Sequence, residues 1–140
     1  MDPNDVKQTT MKAVARIKRY LERKDHASAL FLCYVYVHIR LKSILARNLA
    51  SHQSGASPAT LSEWNKVRLS FPPALRMCKA ARLISPAQYN DLHELQKKRN
   101  SLAHESILWR DIEKTETPDI ERVCRKALRF LQDTGGSQPS

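Results

Sequence analysis

The sequence predicts an all-α fold, a bundle of about five helices, on three observations. Apolar residues recur at spacings of three and four along most of the chain. Glycine occurs only 3 times in 140 residues, and several segments open on residues that cap helices. A chain of this length makes one domain with a real core. Residues 1–134 are assigned to that domain, and 135–140 to a disordered tail, because Thr134-Gly135-Gly136 ends the last helical pattern.

The first helix starts near Asn4 or Asp5, with Val6, Thr10, Ala13, Val14, Ile17 and Leu21 as its inward face. Along another face Lys12, Arg16, Arg19 and Arg23 follow one another at spacings of four, three and four, with Lys18 and Lys24 beside them. Asp25 caps a second helix running to about Ala50. Its centre is apolar nearly all round, through Leu30, Phe31, Cys33, Tyr34, Val37, Ile39, Leu41, Ile44 and Leu45. Such a helix needs cover on more than one side, so it is either the central helix of the bundle or part of a subunit interface. His38 within it reads as a satisfied core histidine, and His52 to Pro58 as an exposed loop.

Thr60-Leu61-Ser62-Glu63 and Ser85-Pro86-Ala87-Gln88 both have the spacing of a capping box, the second with proline at the first helical position. Between them Phe71-Pro72-Pro73 breaks the chain, and Leu75, Cys78, Ala80 and Ala81 supply a short amphipathic helix. Trp64 and Phe71 read as core anchors. The helix opened at Pro86 runs to about His104, and Glu105 to Glu116 follows as an irregular arm or short helix. Thr117-Pro118 opens the last helix, whose apolar face is Ile120, Val123, Cys124, Ala127, Leu128 and Leu131.

Composition narrows the function classes. The formal net charge is +10, and all of it falls within the first 83 residues, while the remainder is balanced. A surplus concentrated in this way favours contact with a polyanion, so the stripe Lys12, Arg16, Arg19 and Arg23 is a candidate surface for a nucleic-acid backbone. Cys33, Cys78 and Cys124 are odd in number and far apart, which suits reduced core residues in a cytoplasmic protein better than a disulfide framework or a zinc site. The longest apolar run, Ala29 to Val37, is too short to cross a bilayer, and no signal peptide is visible at the N-terminus. No phosphate-binding loop, dinucleotide fingerprint, zincin motif or nucleophile elbow is present, so neither a metal nor a cofactor is expected.

One stretch breaks the pattern. Leu92, Leu95, Arg99 and Leu102 stand at spacings of three, four and three, so Arg99 occupies a place where the helix calls for an apolar residue. Its charge needs a partner or a ligand. Beside it His93, Lys97, Asn100 and His104 recur at spacings of four, three and four as a polar stripe. The pair of features makes a candidate anion-handling site. The competing explanation is an ion pair between Arg99 and Asp91 or Glu94, with His104 merely closing the helix end.

Arg99-Asn100, three intervening residues and His104 resemble the R-N-x-x-x-H signature of the HEPN superfamily. Leu83-Ile84-Ser85, Tyr89, Asp91-Leu92, Leu95 and Ala103-His104 extend the likeness to the branch that includes the mannitol operon repressors. The likeness covers residues 83–104 closely and the rest only by helical pattern. It implies a HEPN-like bundle and a metal-independent endoribonuclease that works as a homodimer, with RNA as substrate and two motifs facing across the dyad. It further suggests the toxin of a toxin and antitoxin pair, partnered by a cognate antitoxin or other regulatory protein, or a nuclease of defence against foreign genomes. HEPN toxins often carry tyrosine two residues after the histidine, where this chain has Ser106.

The residue chemistry agrees with that expectation. RNA cleaves itself when its 2′-hydroxyl is deprotonated and the leaving oxygen protonated, tasks that suit an imidazole titrating near neutral pH, here His104. A bidentate guanidinium binds the phosphorane more strongly than the ground state, which suits Arg99. Asn100 is placed to orient the histidine or the ribose, and Lys97 and Lys98 join the stripe of the first helix as candidate RNA contacts. Two readings without catalysis remain alongside: a nucleic-acid-binding regulator and a protein-interaction module.

Overall fold

A computed structural model describes residues 3–52, 68–104 and 117–135. Five helices are described: α1 (Pro3–Glu22), α2 (His26–His52), α3 (Phe71–Ala80), α4 (Pro86–His104) and α5 (Thr117–Asp133). No strand occurs among the described residues, so the fold is all-α. The expected features at Thr60 to Glu63, Trp64 and the arm from Glu105 to Glu116 lie outside the described residues.

The second helix is the axis of the bundle. It packs against each of the other four helices, which accounts for its apolar composition: Ala29, Leu30, Cys33, Val37 and Leu41 are fully buried. By length and composition alone α2 would also pass for a membrane span; four packed neighbours explain the same apolarity. Val35 and Ile39 remain exposed on its outer side. From α1 the core takes Ala13, Val14, Ile17 and Leu21, and from α5 it takes the expected face together with Phe130.

Local signals place the helix ends. The Asp25 carboxylate accepts from the Ser28 amide at 3.2 Å and caps α2. At α4 the capping box is complete: the Gln88 amide donates to Ser85 Oγ at 3.0 Å, and the Ser85 amide donates to Gln88 Oε1 at 2.8 Å. Two C-terminal ends close without glycine. Lys24 (φ 62°) and Arg82 (φ 58°) adopt the left-handed conformation, and the paired bonds Asp25 N–H to Tyr20 O and Leu83 N–H to Cys78 O complete Schellman motifs after α1 and α3.

The short third helix differs from expectation. Pro72 and Pro73 do not break the chain but form the first turn of α3, where proline costs no hydrogen bond. Its buried face is therefore Phe71, Ala74, Leu75 and Cys78, and Ala80 and Ala81 are exposed. Phe71 is the expected anchor, stacked on Tyr34 with ring centroids 4.4 Å apart. His38 is satisfied, as expected, donating from Nε2 to the Leu69 carbonyl at 2.6 Å. Gly135, expected to begin the tail, is buried: a side chain there would come within 2.8 Å of both Leu131 O and Thr10 Cγ2. Residues 136–140 lie outside the described residues.

Polar groups inside the bundle are paired across elements. Arg40 on α2 donates to Leu131 O at 3.1 Å, to Thr134 Oγ1 at 3.0 Å and to Thr10, tying α1 and the end of α5 to the central helix. Burial lowers its pKa, and Arg47 adds to the effect. His26 at the start of α2 is buried and meets Glu121 at 2.9 Å. The three cysteines are free and buried, as the composition suggested.

Candidate functional site

Arg99 lies on α4 at the seam with α2 and is half-buried. Two aromatic faces of α2 form its bed: the guanidinium carbon is 4.6 Å from the Tyr34 ring centroid and 5.8 Å from that of Phe31. Stacked placement of this kind suits arginine, whose planar, weakly hydrated head loses less on leaving water than an ammonium does. Burial raises the Tyr34 pKa, and the positive charge of Arg99 works in the opposite direction. One Nη of Arg99 donates to Asn100 Oδ1 at 3.3 Å, linking the two signature residues directly. Its Nε is buried and has no hydrogen-bond partner among the described residues.

The two acids expected to neutralise Arg99, Asp91 and Glu94, are engaged elsewhere. Glu94 takes a two-pronged contact from Arg122 on α5, with one Nη at 2.9 Å from Oε1. Arg122 also holds Asp119 at 2.6 Å. Lys126 stands 3.3 Å from Asp91 and 3.8 Å from Glu94. The hydrogen bond from Arg122 holds the Glu94 carboxyl below its ordinary value, and Lys98, followed by Arg122, does the same for Asp119. The ion-pair explanation for Arg99 is therefore not what the structure contains: Asp91 and Glu94 face α5, while Arg99 faces α2. Among the described residues Arg99 meets aromatic rings and an amide, and no carboxylate.

Asn100 and His104 are one helical turn apart on α4, so the register of the motif is that of a continuous helix through its last residue. The side chain of His104 lies outside the described residues. Lys97 is exposed and makes no ion pair with a described residue. Lys98 is engaged, because its ammonium pairs with Asp119, and it is correspondingly less free to meet a phosphate.

The other expected cations lie apart from this place. Lys12, Arg16 and Arg19 are exposed on α1, and Arg23 is exposed in the turn that follows it; α1 packs against α2 and α5. The main packing of α4 is against α2, α3 and α5, and that of α1 is against α2 and α5, so the stripe and the motif share no principal helix contact. Arg16 has its pKa raised by a hydrogen bond with Tyr36 and by the charges of Tyr36 and Tyr20.

Sequence reasoning missed the aromatic bed and a second group near it. Phe31 and Tyr34 read only as apolar positions of the central helix, and no local signal relates them to a residue 65 or more positions later. Tyr89 and His93 stack with ring centroids 5.7 Å apart and planes 11° from parallel, and Lys79 of α3 sits 4.1 Å above the Tyr89 ring. The four-residue spacing of Tyr89 and His93 was a usable signal; the contribution of Lys79 was not. Among the described residues no group of three or more His, Cys, Asp or Glu side chains is placed to hold a metal. No protein-family profile, curated protein or solved structure matches this chain.

Proposed function

We propose that the chain is a metal-independent endoribonuclease of the HEPN type, acting as a homodimer on RNA. The observation that carries this reading is the environment of Arg99: a half-buried guanidinium with neither a partner for Nε nor a carboxylate beside it among the described residues. No described carboxylate neutralises this cation, so its charge and its remaining Nη donors can serve an anion. Its neighbours in the signature, Asn100 and His104, supply the remaining chemistry.

In the proposed reaction a His104 imidazole takes the proton of the ribose 2′-hydroxyl. The 2′-oxygen attacks phosphorus, and the bond to the 5′-oxygen breaks as a second imidazole protonates that oxygen. The products are a 2′,3′-cyclic phosphate and a 5′-hydroxyl. One histidine cannot act as base and acid in the same instant, so the second comes from another copy of the chain. Arg99 stabilises the negative charge that accumulates on the phosphorane. Val35 and Ile39, exposed on the outer side of α2 beside the residues that bed Arg99, support pairing of two copies there. A toxin or defence nuclease of the cytoplasm, held in check by an antitoxin or other regulatory protein, is the biological role in keeping with this chemistry.

The test is incubation of the full chain with single-stranded RNA in EDTA. Fragments ending in 2′,3′-cyclic phosphate are expected, and none with His104→Ala. Cleavage that persists in that variant would remove His104 from the mechanism. Absence of cleavage by the wild type, with RNA still bound, would favour a regulator without catalysis.

A further inference from the structure

We propose that the α3–α4 face is the track on which single-stranded RNA lies as it enters the site, with the Tyr89–His93 stack as a base platform and Lys79 and Lys97 as phosphate contacts. The proposal rests on the ribonuclease reading and adds to it a substrate subsite away from the reacting phosphate.

The helix that carries the motif is divided lengthwise by charge. Its acids, Asp91 and Glu94, turn to α5 and are neutralised by Lys126 and Arg122. The other side carries Tyr89, His93, Lys97 and Asn100 at spacings of four, four and three, with no acid among them. The neighbouring α3 contains no acidic residue at all and contributes Lys79. Lys79 and Lys97 are exposed and form no ion pair with a described residue. The positive charge of this face is therefore available to a ligand, whereas that of Lys98 on the opposite side is already used.

Ring geometry selects the kind of polyanion. Tyr89 and His93 lie nearly parallel, and Lys79 caps the tyrosine ring. An unpaired base laid on His93 continues that column, and its backbone then runs beside cations at both ends. Bases locked inside a duplex do not offer a face to such a platform, so the occupant is single-stranded. From Tyr89 to Asn100 the helix rises about 16 Å at ~1.5 Å per residue. The α1 stripe, although richer in cations, is on an element whose main packing is against α2 and α5 and not against α4.

Binding is measured by fluorescence anisotropy in EDTA with the full chain and a 5′-fluorescein-labelled, 12-nucleotide single-stranded RNA. Every ribose is 2′-O-methylated so that no cleavage intervenes. His93→Ala is expected to weaken binding by about 5- to 100-fold, the effect of losing one base–aromatic stack, and His93→Phe to restore it. Lys79→Gln is expected to reduce the slope of log Kd against log salt by about 0.7, one phosphate contact on a single strand. Unchanged affinity in His93→Ala together with an unchanged slope in Lys79→Gln would overturn the proposal, as would equally tight binding of the corresponding duplex. If His93→Ala does not fold, as judged by far-ultraviolet circular dichroism, the salt slopes of Lys79→Gln and Lys97→Gln, both at exposed positions, decide alone. Cleavage of ordinary RNA with binding insensitive to these changes would sink the track and leave the ribonuclease. Sensitive binding without cleavage would do the reverse.

Discussion

Replacing Arg99 by methionine separates its function from its contribution to the fold. The methionine side chain is unbranched, ends at about the position of the arginine Nε and enters a seam lined by Phe31 and Tyr34. Losses are the cation–π contact, worth ~0.5–2 kcal/mol, and the 3.3 Å bond to Asn100, worth about 1 kcal/mol. Gains are relief of the unpartnered Nε, about 1–3 kcal/mol, and sulfur–aromatic contact of ~0.3–1.5 kcal/mol. The two sides nearly cancel, so Arg99→Met should leave stability within about 1 kcal/mol of wild type, a shift in Tm of roughly 4 °C at most for a chain of this length. An arginine anchored in a buried ion pair would lose ~3–5 kcal/mol on the same change. Urea unfolding followed at 222 nm measures the first quantity. RNA cleavage measures the second, with a fall in kcat/KM of at least about 100-fold expected from loss of a group that stabilises the phosphorane. A loss of stability above roughly 3 kcal/mol would show that Arg99 is a structural anchor and refute the reasoning. A stable variant that cleaves normally would refute its catalytic role.

Other expectations concern the frame around the site. The Glu94 and Asp119 carboxyls are held below their ordinary values by Arg122 and Lys98, so their contribution to stability is present above about pH 4.5 and is lost as pH falls through the lower folded values. Arg122→Gln should therefore flatten the acid limb of a plot of Tm against pH; an unchanged limb would show that the α4–α5 carboxylates do not govern it. Lys24 and Arg82 hold left-handed backbone at helix ends, and Lys24→Gly and Arg82→Gly should each stabilise the fold by ~0.5–1 kcal/mol in urea titrations. A destabilisation would mean that their side chains outweigh the backbone strain. Burial pushes the Cys78 thiol up to about 11, and a hydrogen bond with Cys124, followed by burial, raises Cys33 well above its ordinary value. Native protein at pH 8 should thus resist iodoacetamide, and mass spectrometry should find alkylation only after unfolding.

Local physical chemistry was enough to read the helices and two of their starts. Periods near 3.6 identified the buried faces of α1 and α5 because each packs one side inward and leaves the other in water. Ser85 and Gln88 announced the start of α4 because a capping box needs only residues within one turn. The arginine out of place on the apolar seam was visible for the same reason. The third helix was misread in its buried face, because Pro72 and Pro73 can either break a chain or begin a helix, and the choice fell to packing of Phe71 on Tyr34.

What surrounds Arg99 could not be read in that way. Whether Asp91 and Glu94 neutralise it or turn to α5 depends on which helices flank α4, and Arg122 and Lys126 lie roughly 30 residues further on. Periodicity likewise left the place of the second helix open; its contacts with four neighbours make it the bundle axis and leave Val35 and Ile39 exposed. The signature Arg99-Asn100 and His104 was thus legible in the chain, being set by spacing along one helix. The absence of a described carboxylate beside Arg99 and the aromatic bed beneath it were decided only in three dimensions, because each depends on contacts between residues that no local rule relates.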